Sequence, residues 1–214
     1  IKNTGLPVVV INQPGGDKDW EQTGLTLWSK ETEFDDLEAN NPGTITVYNA
    51  DGTISLETAT SMTRLRGNTS QDYPKKPFAV KLVDDAPILG MKEHNRWVLL
   101  ANWKDKSLIR NHIAFGIAQK FTENLDGSIP WNVHGEFVEV VYNGVHIGNY
   151  YLCEQIKVGE YRLNITKYKA KNFTGDWTAF GYLLESDDYY DEPAKFTTNH
   201  SIPFMFKDDV DANN

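Results

Sequence analysis

The 214 residues, of which 40% are hydrophobic and 12% aromatic, have the composition of a folded globular protein and not of a disordered chain. The formal net charge of -9 argues against a broad nucleic-acid interface, which would need a basic face. No run of about 18 apolar residues is present, so no transmembrane helix is predicted.

The first 59 residues are predicted to be rich in β-structure. Residues 7–11 are a continuous apolar run followed by Asn-Gln-Pro-Gly-Gly, which predicts a buried strand and a turn. Residues 44–48 alternate between polar and apolar, as a half-buried strand does, and residues 49–52 carry a hairpin turn signal. The polar and acidic residues 17–43 are predicted to be a long insertion between these strands.

A cluster of positive charge between residues 63 and 83 is unexpected in so acidic a chain. Its members are Arg64, Arg66, Lys75, Lys76 and Lys81. The pattern predicts a strand, a polar loop that begins at residues 67–70, and a second strand, and such a loop can direct backbone N–H groups at an anion. On the second strand Phe78, Val80 and Leu82 share one face, so Lys81 projects from the other. A solvent-exposed lysine is the simpler alternative for Lys81.

The middle of the chain is predicted to contain a strand, a helix and a hairpin. Residues 97–102 are an apolar strand, and Asp105 is expected to cap a helix that ends near residue 121. The helical spacing is carried by Leu108, Ile109, Ile113, Ile117 and Phe121. Residues 137–153 form the clearest hairpin, because Asn143-Gly144 suits a type I′ turn. The single cysteine, Cys153, excludes an internal disulfide and is expected to be a small buried residue.

Two carboxylates near the end of the chain suggest a metal site. Glu185 and Asp187 lie two residues apart on a strand predicted over residues 180–187, so they share one face. Magnesium takes one or two carboxylates together with phosphate oxygens, and lysine or arginine neutralises the phosphates. The pair is therefore predicted to be metal-binding and catalytic. A surface acidic cluster is the alternative, and it is the preferred interpretation for Asp188 and Asp191.

Phosphate binding is assigned by the same reasoning to Arg66, Lys76 and Lys81. Glu154 closes an apolar strand, and it either pairs with a strand lysine or meets water at the strand end. The histidines have no zinc-like spacing, and no Walker loop or Gly-x-Ser-x-Gly turn is present. The segment that ends in Lys81, Phe-Ala-Val-Lys, is similar to the lysine strand of protein kinases, but His-Arg-Asp and Asp-Phe-Gly are absent.

Several stretches, taken in order, resemble the spore coat protein H (CotH) kinase-like family. They are Arg66-Gly-Asn-Thr-Ser70, Tyr73-Pro-Lys-Lys-Pro-Phe-Ala-Val-Lys-Leu82, Trp97-Val-Leu-Leu-Ala-Asn102, Asp105-Lys-Ser-Leu-Ile-Arg-Asn111, Asn143-Gly144 through Gly148-Asn-Tyr-Tyr-Leu-Cys-Glu-Gln-Ile156, Arg162-Leu-Asn-Ile165 and Gly181-Tyr-Leu-Leu-Glu-Ser-Asp187. The resemblance covers most of residues 60–207.

The resemblance implies an α+β fold of mixed, mostly antiparallel sheets with few helices, namely an atypical minimal protein-kinase-like fold. Residues 1–214 would form a single domain, with residues 1–59 as a β-rich N-terminal part and residues 60–207 as the family core. The implied activity is transfer of the γ-phosphate of ATP, with Mg²⁺, to serine or threonine of a protein substrate.

Carried over by position, the resemblance makes Lys76 and Lys81 phosphate ligands and Glu154 the ion-pair partner. Asp187 becomes the metal-binding aspartate, with Glu185 beside it. It also implies a structural network that ties a helix to the sheet, formed by Asn102, Asp105, Arg110 and Asn111.

The chain departs from the family pattern after Ile156. The pattern implies an aspartate within the next few residues, where this chain has Lys157-Val-Gly-Glu160. The alternative function is therefore a non-catalytic cell-surface or spore-coat-type structural or binding module. A chain that opens at Ile1 without Met is expected to have been trimmed, which leaves the compartment open, an exported or cell-surface location included.

Overall fold

The computed structural model describes residues 4–124, 131–166, 175–176, 178, 180–187 and 189–207. The chain divides into two compact units, Ile1–Gln155 and Ile156–Asn214. The elements of the first unit are β1 (Val8–Asn12), β2 (Lys18–Trp20), β3 (Leu25–Leu27), α1 (Phe34–Asn40), β4 (Gly43–Tyr48), β5 (Ile54–Leu65), β6 (Phe78–Ile88), β7 (Met91–Leu100), α2 (Arg110–Asn124), β8 (Gly135–Tyr142) and β9 (Val145–Glu154).

Seven of these strands close into a barrel in the order β1-β4-β5-β6-β7-β9-β8. Neighbouring strands are antiparallel except β1 and β8, which pair in parallel with Val9 opposite Val140 and so close the barrel. β2 and β3 form a separate two-stranded sheet. Closure matters because it leaves none of these seven strands with an unpaired edge.

The barrel interior is filled by alternate side chains of each strand. One register row, Leu65–Phe78–Leu99–Leu152, crosses four strands and is buried throughout. The Phe78 ring also stacks on Tyr142, with 5.3 Å between ring centroids. Full burial of an aliphatic or aromatic side chain contributes about 1.5–3 kcal/mol, so this row stabilises the barrel substantially. The predicted apolar face of the strand that contains Phe78 is confirmed.

The outer face of the barrel is covered in part by α1. Phe34 and Leu37 of α1 are buried against Met62 of β5 and Ala79 of β6. α1 lies in the stretch that was predicted only as a long polar insertion. Its two apolar residues are three apart and therefore point to one side of the helix.

The architecture corrects the predicted fold class. An α+β, minimal protein-kinase-like fold was expected, whereas the described residues form a mostly β structure around a closed seven-stranded barrel, with two α-helices. The prediction was wrong because it followed from the family resemblance, and the local patterns that identified each strand carry no information on strand pairing. Closure depends on the pairing of β1 with β8, which lie at opposite ends of the first unit and share no local signal.

Several local predictions are confirmed. The hairpin turn between β8 and β9 has positive φ at Asn143 (46°) and Gly144 (79°), as a type I′ turn requires. Cys153 is buried on β9. Within the described residues no helix has the length and apolar character needed to cross a membrane.

The second unit contains a small antiparallel sheet. Its strands are β10 (Leu184–Glu185), β11 (Lys195–Thr197) and β12 (Pro203–Phe206), in the order β10-β12-β11. Met205 on the central strand is buried. The strand predicted over residues 180–187 is thus limited to two residues, and Asp188, predicted to be a surface acid, lies outside the described residues.

Candidate functional site

The cationic stretch identified in the sequence forms a loop over residues 66–77, here called the basic loop, between β5 and β6. Its ends are joined because the Arg66 backbone N–H donates to the Pro77 carbonyl at 3.2 Å. The Tyr150 hydroxyl donates to the Lys76 carbonyl at 2.9 Å and ties the loop to the barrel. The loop is therefore positioned by the barrel wall.

A glycine fixes the tight start of the basic loop. Gly67 has φ +84°, and a Cβ atom built there would lie 2.0 Å from the Ser70 hydroxyl oxygen. A 3-10 helix follows over Thr69–Asp72. The Lys30 ammonium donates to the Asn68 side-chain oxygen at 2.8 Å, so a second segment also holds this turn.

Arg66 is the strongest candidate for binding an anion. Burial lowers the pKa of its guanidinium, an effect that Cys153 opposes. Within the described part of the chain, its side chain has no carboxylate or carbonyl as a hydrogen-bond partner. A partly buried cation without a counter-ion is stabilised by any anion that reaches it, and guanidinium matches phosphate oxygens in a bidentate geometry.

The two loop lysines have different environments. Lys75 donates to the Asn149 carbonyl and lies over the Tyr150 ring, 4.5 Å from its centroid. Burial lowers the pKa of Lys75, while Glu139 opposes that change. Lys76 donates to the Gln71 carbonyl at 2.8 Å and borders a cavity of about 230 Å³. The other residues lining this cavity are Lys18, Asp19, Leu27, Glu31, Leu65, Gln71 and Asp72.

Lys81 lies on the outer face of β6, as predicted, but it does not point to open solvent. Its ammonium lies 2.8 Å from both Asp35 Oδ1 and Glu38 Oε2 of α1, and its side chain is 14% exposed. The hydrogen bonds that Lys81 donates to Asp35 and Glu38 raise the pKa of Lys81. An anion could bind this lysine only by displacing the two carboxylates.

Glu154 has a different neighbour from the one that the sequence suggested. Its side chain is 2% exposed, and Oε2 accepts hydrogen bonds from the backbone N–H of His134 at 2.9 Å and interacts with the ring Nδ1 at 3.0 Å. Glu154 pairs in register with Trp97, whose side chain is in the core. Lys81 pairs with Arg96, the residue before Trp97, and so points to the opposite face. Lys81 therefore pairs with α1 and not with Glu154.

The two predicted metal ligands lie in the second unit. Glu185 Oε2 is 3.0 Å from the ammonium of Lys207, which also binds Glu192 at 2.7 Å. The hydrogen bonds that Lys207 donates to Glu192 and Glu185 raise the pKa of Lys207. Asp187 Oδ1 accepts the Tyr189 backbone N–H at 3.1 Å. Glu185 is 41% exposed, so its charge does not require a bound metal.

The residues fit Mg²⁺ and ATP in part. No group of three or more His, Cys, Asp or Glu side chains within the described ranges is placed to hold a metal ion. Two carboxylates are nevertheless a sufficient protein contribution when phosphate oxygens complete the shell, so Glu185 and Asp187 have suitable chemistry. Arg66 suits a phosphate. That the carboxylate pair faces the basic loop stays a prediction.

The sequence interpretation missed the partners of its own site residues. Asp35 and Glu38 were predicted only as part of the polar insertion, with no role in the site. His134 was given no role either, because the histidines have no zinc-like spacing. The available signal for Asp35 and Glu38 was their spacing. Two acidic residues three apart can lie on the same side of a helix and pair with a lysine of a strand. His134 had no signal, since its contact with Glu154 depends on the pairing of β8 with β9.

The predicted helix-to-sheet network is confirmed. Asn111 Nδ2 donates to Asn102 Oδ1 at 2.8 Å, and Asn102 Nδ2 donates to the Leu108 carbonyl at 3.1 Å. Asp105 accepts the Arg110 backbone N–H at 2.8 Å, which satisfies a donor at the start of α2. The side-chain hydrogen bond from Ser107 and the Arg110 N–H lower the pKa of Asp105.

Fold and site together define a class: an acidic β-barrel protein whose barrel presents a basic loop, followed by a small β-sheet unit that carries acidic side chains. A comparison with protein-family models matches residues 63–207 to the family described as CotH kinase protein, which is more than half of the chain. The chain belongs to the CotH kinase protein family. A search of curated proteins finds no match.

Proposed function

We propose that this protein is an ATP- and Mg²⁺-dependent phosphotransferase that transfers the γ-phosphate to serine or threonine of a protein substrate. Membership of the CotH kinase protein family supports phosphoryl transfer. The observation that carries the proposal is the partly buried Arg66 guanidinium, which has no counter-ion in the described part of the chain and lies at the start of the basic loop. Phosphoryl transfer depends largely on such charge neutralisation and positioning.

The proposed phosphate site consists of Arg66 with Lys76 and Lys81. Arg66 would donate two parallel hydrogen bonds to phosphate oxygens, and the backbone N–H groups after Gly67 would add neutral donors. Lys81 would join the site when its α1 carboxylates release it. Glu154, held by His134, would support the β9 end of the site.

Glu185 and Asp187 are the proposed metal-binding and catalytic carboxylates. Bound magnesium would neutralise the triphosphate, and ATP would supply the phosphoryl group. The substrate hydroxyl oxygen forms a bond to the γ-phosphorus, the bond from that phosphorus to the bridging oxygen breaks, and ADP leaves. The hydroxyl proton would pass to whichever of the two carboxylates does not hold the metal, since one carboxylate together with phosphate oxygens is enough to bind magnesium.

Calorimetry with ATP and Mg²⁺ on the full chain tests the phosphate site. A hydrogen bond to a charged group contributes about 1.5–3 kcal/mol, so R66Q is expected to weaken ATP binding roughly 10- to 100-fold. R110Q is the matched control, since it removes the same charge from an exposed side chain at the start of α2. If wild type and R66Q bind ATP with equal affinity, Arg66 is not part of the phosphate site. If the wild type does not bind ATP, the proposal is overturned.

Transfer of labelled γ-phosphate to dephosphorylated casein tests the chemistry. D187A and E185Q are both expected to lower the rate by at least about 10²-fold while the barrel remains folded, because they alter only the second unit. If both variants transfer phosphate at the wild-type rate, the assignment of Glu185 and Asp187 as metal ligands is refuted.

The alternative is a non-catalytic structural or binding module. It is supported by the internal pairing of two proposed site residues, Lys81 with Asp35 and Glu38, and Glu185 with Lys207. The same calorimetry separates the two functions, because a module of this kind would retain its fold and show no ATP binding.

A further inference from the structure

Asn111 and Gln119 lie on the side of α2 that faces the barrel. Asn111 binds Asn102, and the Gln119 amide donates to the Val133 carbonyl at 2.9 Å. Phe115 packs against the outer apolar cluster that contains Val98, Val133, Tyr151 and Cys153. The inward face of α2 is thus held by hydrogen bonds to loops and strand ends together with the packing of Phe115.

The outward face of α2 carries its large exposed apolar side chains. They follow a four-residue spacing and are between 44% and 57% exposed: Ile109, Ile113, Ile117 and Phe121. The Ile109 carbonyl accepts the Ile113 N–H at 2.9 Å, so this residue already follows the helical path. A four-residue spacing forms a continuous ridge, here roughly 18 Å long. A surface helix normally buries such a ridge.

The same outward face is cationic. Arg110 and Lys120 are exposed on α2, and Lys104 and Lys106 are exposed just before it. Over residues 103–124 these four cations outnumber the two carboxylates, Asp105 and Glu123. Asp105 accepts hydrogen bonds from the backbone N–H groups of Ser107 and Arg110, and its Oδ1 lies 3.6 Å from the exposed Arg110 Nε. An apolar ridge flanked by cations is distinctive in a chain of net charge -9.

We propose that the outward face of α2 docks onto an anionic lipid surface. The isoleucines and Phe121 would enter the headgroup boundary, while Arg110 and Lys120 extend their charged ends to the lipid phosphates. A second copy of this chain fits less well, since it would bring the same cations against each other. The proposal does not depend on phosphoryl transfer.

Co-sedimentation of the full chain with vesicles tests this surface. We expect binding to vesicles of phosphatidylcholine with roughly one third phosphatidylglycerol, and at least about 10-fold weaker binding to phosphatidylcholine alone. I117Q should lower the partition coefficient about five-fold, because it removes roughly half of a buried isoleucine contribution. The matched control is I54Q, at an isoleucine of equal exposure on β5.

Binding that weakens as NaCl rises from about 0.05 to about 0.5 M, together with loss in I117Q but not I54Q, supports the proposal. Equal binding to neutral and anionic vesicles, no binding, or equal loss in both variants would overturn it. Sedimentation equilibrium without lipid adds a further criterion. If the wild type is a dimer and I117Q is a monomer, the ridge binds a second copy of the chain, and the proposal is overturned.

Discussion

Substitution of Gly67 by alanine should destabilise the first unit through two separable effects. The residue has φ +84°, a conformation that costs an L-residue about 1–2 kcal/mol. The added Cβ would also lie 2.0 Å from the Ser70 hydroxyl oxygen, which forces Ser70 to move. The Ser70 Oγ is the end of a short side chain that can rotate away at a cost of about 0.5–1.5 kcal/mol, so G67A is expected to lower the free energy of unfolding by about 1.5–3.5 kcal/mol.

A double-mutant cycle separates the two effects. In an S70A background the clashing oxygen is absent, and the nearest remaining atom, the Ser70 Cβ, is at an ordinary 3.4 Å. G67A should then cost only the conformational contribution, which gives a coupling energy of about 0.5–1.5 kcal/mol between the two positions. G52A is the matched control for conformation alone, since Gly52 has φ +87° and nothing within 4 Å of its added Cβ.

Urea denaturation followed by near-ultraviolet circular dichroism measures these free energies. A cost of this size should lower the urea midpoint of G67A by roughly 1 M or more relative to wild type. The reasoning is refuted if G67A and G52A cost the same, or if the cost of G67A is unchanged in the S70A background. Either result would mean that Ser70 does not restrict the start of the basic loop.

Three further predictions concern buried groups of the barrel. Y150F should cost about 0.5–1.5 kcal/mol in urea denaturation because it removes the hydrogen bond to the Lys76 carbonyl. Y142F should be neutral or stabilising, since the Tyr142 hydroxyl is buried without a partner among the described residues; a loss as large as that of Y150F would contradict this. Burial raises the pKa of the Cys153 thiol to about 12, so the thiolate fraction at pH 8 is on the order of 10⁻⁴. Ellman's reagent should therefore label Cys153 only in urea, and rapid labelling of the native protein would show that the thiol is accessible.

The strands were predictable because each has a local pattern. The apolar run at residues 7–11, the alternation at residues 44–48 and the Asn143-Gly144 turn all match strands or turns of the barrel. The closed barrel was not predictable, since the parallel pairing of β1 with β8 joins residues about 130 apart in sequence. The length of a strand can likewise depend on its neighbours, as β10 shows by spanning only two residues.

The sequence predicted which charged residues form the candidate site, but not which residues they contact. The direction of Lys81 followed from strand alternation and is confirmed. Its partners, Asp35 and Glu38, come from a helix that packs through only two apolar residues, too few for a recognisable helical period. Arg66 was identified as a cation, but that no described residue supplies its counter-ion is a property of the folded surroundings.

The closed barrel places the boundary of the folding unit well outside the family match. That match begins at residue 63, whereas β1, β4 and most of β5 precede it. A fragment limited to residues 63–207 would lose Val9, Ile11, Ile45 and Val47 from the barrel core. It would also leave β8 without its parallel neighbour and β6 with only a few residues of β5, and such open strand edges recruit other chains. Dissection of this protein should therefore begin no later than β1, because the segment that identifies the family is not an independently closed structure.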